Sequence, residues 1–137
     1  MLVTMKEILD RAKKDNYGVT SIMVDRSSLS YEDNIAQTKE TVKMCRPLNI
    51  SVEAELGHVG QSEDYSSDGS DHFTKPEEVK KFVEETGIDC LAVAIGTAHG
   101  RYHGTPHIDF DLLKQITDVV DIPLVLHGGS GTGDENL

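Results

Sequence analysis

Cys90-Leu91-Ala92-Val93-Ala94-Ile95-Gly96-Thr97-Ala98-His99-Gly100 and Pro123-Leu124-Val125-Leu126-His127-Gly128-Gly129-Ser130-Gly131 decide the fold of this chain. In each stretch an apolar run ends in a histidine and then glycine. The histidines stand 28 positions apart (99 to 127), about one strand–helix repeat of an α/β fold. Runs of this kind read as buried, parallel, adjacent strands. Imidazoles at their carboxyl ends can converge on one point, as in a metal site at the active face of a β/α barrel.

Outward from these two runs the same alternation continues. Met5, Ile8, Leu9 and Ala12 recur at helical spacing, predicting an amphipathic helix from Met5 to about Asn16, ended by Gly18. Ser21–Asp25 reads as a short buried strand with a carboxylate at its end. Ser30, with Asp33 three positions on, opens a helix whose inner face is Ile35, Thr38, Val42 and Cys45 and which Pro47 closes. Ser51–Leu56 is the next strand, with Glu53 and Glu55 on one face and Val52, Ala54 and Leu56 on the other. Residues 57–73 form a long polar loop, of the kind that is more often functional than idle. Thr74-Lys75-Pro76-Glu77 reads as a capping box opening a helix with Val79, Phe82 and Val83 inward and Gly87 at its end. Strand Cys90–Ile95, helix Asp109–Val120 (Leu112, Leu113, Ile116 and Val120 inward) and strand Leu124–Leu126 follow. This order predicts an α/β fold with four parallel strands and helices packed outside.

The chain has 137 residues, enough for one domain with a core but short of the roughly 250 of a complete eight-stranded β/α barrel. Thirteen Lys and Arg against 24 Asp and Glu give a net charge of −11, which argues against nucleic acid or an anionic membrane as partner. No apolar run approaches a membrane span, and the N-terminus lacks a signal-peptide pattern. Cys45 and Cys90 fall in apolar patterns and read as free thiols of a cytoplasmic protein.

Several residue types here can do chemistry. One histidine at a strand end reads as structural; two at matching ends of successive strands read as ligands of one metal. Imidazole suits Zn²⁺, and a catalytic zinc takes three protein ligands, so His99 and His127 require a third. His58 and His103 are available in loops. Glu55 ends its strand toward the same rim, either as a ligand-side carboxylate or as a paired interior charge. Asp25 ends its own strand likewise and can steady a ligand or a second cation. Glu63, in the long loop, is a candidate general base that closes over substrate. Gly128-Gly129-Ser130-Gly131 offers a nest of backbone amides and a hydroxyl, suited to phosphate; the loop around Gly100 stands beside it.

Together these stretches resemble the class II, zinc-dependent ketose-bisphosphate aldolases, in the tagatose- and fructose-bisphosphate branch. The matching motifs are Val52-Glu53-Ala54-Glu55-Leu56-Gly57, Ala92 to Gly100 and Leu124 to Gly131; Ser21-Ile22-Met23-Val24-Asp25-Arg26-Ser27 is similar to the family's fourth strand. The resemblance implies part of a TIM (β/α)8 barrel, nominal strands 4–7, forming one domain over 1–137. Within it, 1–18 is the N-terminal helix and 19–137 are continuous β/α units. It implies reversible cleavage of fructose or tagatose 1,6-bisphosphate to dihydroxyacetone phosphate and glyceraldehyde 3-phosphate. His99 and His127 would be two of three zinc ligands, and Glu55 the carboxylate at the alternate metal position. Glu63 would be the acid/base on the dihydroxyacetone phosphate carbon. Gly100, Gly128 and Ser130 would hold a phosphate and a monovalent cation.

The family's His-x-Asp-His segment, which supplies a third ligand and a proton-handling aspartate, has no match here. Residues 1 to about 18 resemble the family's own N-terminus and lead directly into its fourth strand. The expectation is therefore that strands one to three, and the eighth, are absent. A half-barrel leaves two sheet edges open, so the chain is expected to be a homo-oligomer; without the third ligand and the aspartate it is expected to be impaired in turnover. The competing readings are a non-catalytic metal-binding remnant or interaction subunit, and another metal-dependent β/α enzyme such as an epimerase or hydrolase. The order of the two His-Gly motifs disfavours the latter.

Overall fold

In the computed structural model the described residues are 5–14, 18–60, 72–100, 102 and 106–133. Helix α1 (Met5–Lys14) leads to β1 (Ser21–Val24), α2 (Tyr31–Cys45), β2 (Ser51–Leu56), α3 (Pro76–Thr86), β3 (Cys90–Val93), α4 (Phe110–Thr117) and β4 (Leu124–Val125). The strands form one sheet in the order β1-β2-β3-β4. All three pairings are parallel, as the alternation predicts. Strands β1 and β4 are its two edges. No described helix is long and apolar enough to cross a membrane.

Register divides the sheet into two faces. Glu53 pairs with Cys90, Glu55 with Ala92, and Ala92 with Val125. Paired residues of parallel strands share a face, and alternate residues return to it. Glu53, Glu55, Cys90, Ala92 and Val125 therefore line one face. The other face carries Val24, Val52, Ala54, Leu56, Leu91 and Val93, all buried against Ile35, Val42, Cys45, Val79, Phe82 and Ile116 of the helices. Each large side chain fully buried there contributes roughly 1.5–3 kcal/mol. The polar face thus stays available for a site while the apolar face holds the fold.

Local chemistry explains the element ends. Ser30 caps α2, its hydroxyl accepting from the Asp33 amide, and Gly87 ends α3 in the left-handed region at φ 71°. The capping box expected at Thr74 is not formed. The cap residue is Lys75, without a side-chain bond, and Pro76 is the first helical residue. The Thr74 hydroxyl instead donates to the Leu56 carbonyl (2.5 Å) and accepts from the Ala94 amide (2.8 Å). The Thr74 amide donates to the Ala94 carbonyl at 2.9 Å. Strand β3 consequently ends at Val93, two residues before the expected Ile95, because Ala94 is bonded to Thr74. Helix α4 runs from Phe110 to Thr117, inside the predicted Asp109–Val120, with Asp109 as its cap. Strand β4 stops at Val125, one residue before the predicted end. For α1, residues 15–17 at the expected end lie outside the described part. Cys45 is buried, Cys90 is half-buried, and both thiols are free.

Candidate active site

The polar face converges on His127. Two residues beyond Val125, its ring meets both glutamates of β2: Nε2 lies 2.7 Å from Glu53 Oε1, and Nδ1 lies 3.3 Å from Glu55 Oε2. These contacts cross β3 above Ala92, whose small side chain leaves the space. Glu55 is 1% exposed, and a carboxylate at that depth needs partners. Its Oε1 accepts from the Ser27 hydroxyl (3.0 Å) and the Val59 amide (2.9 Å). Glu53 Oε2 faces the Cys90 thiol at 3.9 Å. Burial first, and the Glu53 charge second, push the Cys90 thiol above its ordinary range, so it stays protonated at neutral pH. The sequence placed Glu53 on the face of Glu55 without marking it as a site residue. Its register with Cys90 is the signal that could have done so.

His99 is the second imidazole of the rim. Its ring centroid lies 5.8 Å from that of His127, with the planes tilted by 50°. Its backbone amide donates to the Gly60 carbonyl at 2.8 Å, which holds the loop after β3 at this point. Gly128, at φ 69°, lies so close to that loop that a Cβ would stand 2.4 Å from the Ala98 carbonyl oxygen. Residues Gly129–Gly131 then turn in a short 3-10 helix that the Thr132 hydroxyl closes by donating to the Gly129 carbonyl at 2.9 Å. Ser130 and Gly100 are exposed on the two neighbouring loops. Thr97 Oγ1, two residues before His99, is buried without a hydrogen-bond partner among the described residues.

The other candidates are placed differently. Asp25 is exposed and its Oδ1 accepts from the Ser27 amide (2.8 Å), an Asx-type turn. His58 Nδ1 is 2.8 Å from Ser27 Oγ, and its ring meets His72 edge-on at 6.2 Å beside a cavity of about 250 Å³. It does not complete a metal-binding group with the other histidines; among the described residues no three His, Cys, Asp or Glu side chains do. Glu63 and His103 lie outside the described residues.

Residues 3–137 match the family model for class II fructose-bisphosphate aldolase, and the chain belongs to that family. The family generally depends on zinc and acts on phosphorylated sugars. Among particular relatives, the chain is 47% identical over 122 residues to YdjI of Escherichia coli K12, described as an uncharacterized protein, covering 88% of this chain and 44% of YdjI. The crystal structure of the YdjI aldolase superposes with a TM-score of 0.78 at 41% identity, covering 98% of this chain and 45% of that one. Fructose-bisphosphate aldolase from Campylobacter jejuni gives 0.64 at 28% identity, over 88% of this chain and 39% of that one. This chain therefore spans less than half the length of the relatives it matches, and the four-stranded sheet is part of a TIM barrel.

The donor set can be tested against zinc. Two imidazoles bound tetrahedrally at about 2.0–2.1 Å put their ring centroids roughly 5 Å apart. The observed 5.8 Å is within a side-chain adjustment of that. A ligating imidazole ordinarily has a carboxylate partner on its other nitrogen, and His127 has two carboxylates at hand. The two imidazoles thus fit two positions of a zinc site once one of the two carboxylates releases its His127 nitrogen to the ion.

Proposed function

We propose that this chain carries part of the active rim of a zinc-dependent ketose-bisphosphate aldolase, with fructose or tagatose 1,6-bisphosphate as the substrate class. The observation that carries this reading is the His99–His127 pair backed by Glu53 and Glu55. When bound, zinc supplies a Lewis acid for the ketose carbonyl. His99 and His127 would hold the ion; one ring nitrogen of His127 would leave its carboxylate to take it, and the glutamate on the other nitrogen would orient the ring. Glu55 is also the alternate ligand, and Asp25 the candidate for a second cation. Backbone amides of Gly100, Gly128 and Gly129, with the Ser130 hydroxyl, receive a phosphate, and a monovalent cation belongs to the same reading; the buried Thr97 hydroxyl, without a partner among the described residues, supports a polar ligand near the His99 segment. Glu63 moves the proton on the dihydroxyacetone phosphate carbon. A homo-oligomeric state belongs to the same reading, and sedimentation would register it as a concentration-dependent mass. A cytoplasmic location belongs to the same reading.

A second reading, metal and phosphate binding without turnover, is favoured by one observation: the described residues offer no third ligand. The sequence also has no His-x-Asp-His segment. Loss of general acid–base catalysis alone costs about 10²–10⁴ in rate. Titration of dihydroxyacetone phosphate into the zinc-loaded chain tests the site. Zinc-dependent binding that inorganic phosphate displaces is expected, and no binding contradicts it. A coupled cleavage assay on both bisphosphates separates the readings. Near-background turnover goes with the second, and robust chelator-sensitive cleavage with the first.

A further inference from the structure

We propose that Tyr102 is a positioning residue whose hydroxyl clamps the His99 loop to the His127 loop and so sets the spacing of the two imidazoles. The hydroxyl bonds in both directions. It accepts from the Ala98 amide at 2.5 Å, one residue before His99, and donates to the Gly128 carbonyl at 2.9 Å, one residue after His127. No other described side chain bonds both loops at residues adjoining the two histidines. The ring packs on the second loop as well, since a Cβ on Gly131 would stand 3.0 Å from Tyr102 Cδ2.

The need for a clamp follows from the backbone. Both histidines lie beyond the ends of their strands: β3 stops at Val93 and β4 at Val125. Sheet pairing therefore does not set the distance between their loops. Gly128 permits the close approach, because any side chain there would strike Ala98. Permission is not restraint, and Tyr102 supplies the restraint with two hydrogen bonds, one accepted and one donated by the same hydroxyl oxygen. On the other side His99 is held by the Gly60 carbonyl. The His99 main chain is thus fixed from two directions.

This inference rests on the reading that the imidazoles share a metal, but its test does not. Tyr102→Phe removes one oxygen. Tyr31→Phe is the control: it also removes a hydroxyl that donates to a backbone carbonyl, that of Glu78, away from the two loops. In the wild-type chain the Ala98 amide is expected to be protected from hydrogen exchange. Tyr102→Phe should accelerate its exchange at least tenfold and shift the His99 and His127 ring resonances, while Tyr31→Phe does neither. Zinc affinity, by competition with a chromophoric chelator, should weaken about tenfold in Tyr102→Phe only, the lower end for loss of an outer-shell partner. An unprotected Ala98 amide in the wild-type chain, or unchanged exchange in a folded Tyr102→Phe, overturns the clamp, whatever zinc does. Absence of zinc binding in every form, with the exchange pattern as expected, overturns the metal reading and leaves the clamp standing.

Discussion

Replacing Gly128 by alanine attacks the loop junction directly. At φ 69° an alanine sits in the left-handed region, which costs about 1–2 kcal/mol. Its Cβ would stand 2.4 Å from the Ala98 carbonyl oxygen, 2.7 Å from the carbonyl carbon and 3.0 Å from the nitrogen, where ordinary contact begins at 3.4 Å. Backbone atoms cannot step aside as a side-chain tip can, so the two loops must part by about 1 Å. Overpacking of this kind costs about 1–3 kcal/mol. The expected loss is about 3 kcal/mol, a large share of the 5–15 kcal/mol typical of a folded domain and about 10 °C in melting temperature. Urea unfolding followed by circular dichroism reads the loss. Gly18→Ala is the control, since nothing lies within 4 Å of its Cβ and no positive φ is required; it should be neutral or slightly stabilising. A Gly128→Ala chain within about 0.5 kcal/mol of wild type would refute the close-approach argument.

Two further perturbations test the frame around the site. Thr74→Val keeps the shape but leaves the buried Leu56 carbonyl and Ala94 amide without their hydroxyl partner; it should cost about 2 kcal/mol or more in the same unfolding assay, above the roughly 1 kcal/mol typical of a lost helix cap. The Cys45 thiol is raised by burial and then by Asp89, and the Cys90 thiol by burial and then by Glu53, both from an ordinary 9.0. The folded chain therefore holds these protons where the unfolded chain releases them, and stability should fall as pH rises through about 9, less steeply in Cys45→Ala.

Much of the fold was legible because period and punctuation agree. Ser51–Leu56 alternates cleanly and is bounded by Asn49 and Gly57, so β2 was read to the residue. Ile35, Thr38, Val42 and Cys45 were read as the inner face of α2, and all are buried. The misreadings fall where tertiary bonds compete with local ones. Thr74 carries a capping signature, yet its hydroxyl is worth more between the ends of β2 and β3 than at a helix start whose first N–H Pro76 already lacks. The site was half legible. His99 and His127 announce themselves by matching positions after strands, and the structure does bring their rings together. Glu53 was hidden because its partner lies across β3, a distance set by register and by the small Ala92. Tyr102 was hidden because a loop tyrosine has no periodicity to mark it.

The central claim is that His99 and His127 hold one metal ion between them. Isothermal titration of zinc into the chelator-stripped chain tests it most directly, with His99→Ala and His127→Ala run in parallel. One ion per chain is expected, held loosely enough for mild chelators to remove because three-ligand sets are the norm for catalytic zinc, and lost in each variant. Tight zinc binding that persists unchanged in His127→Ala would contradict the account.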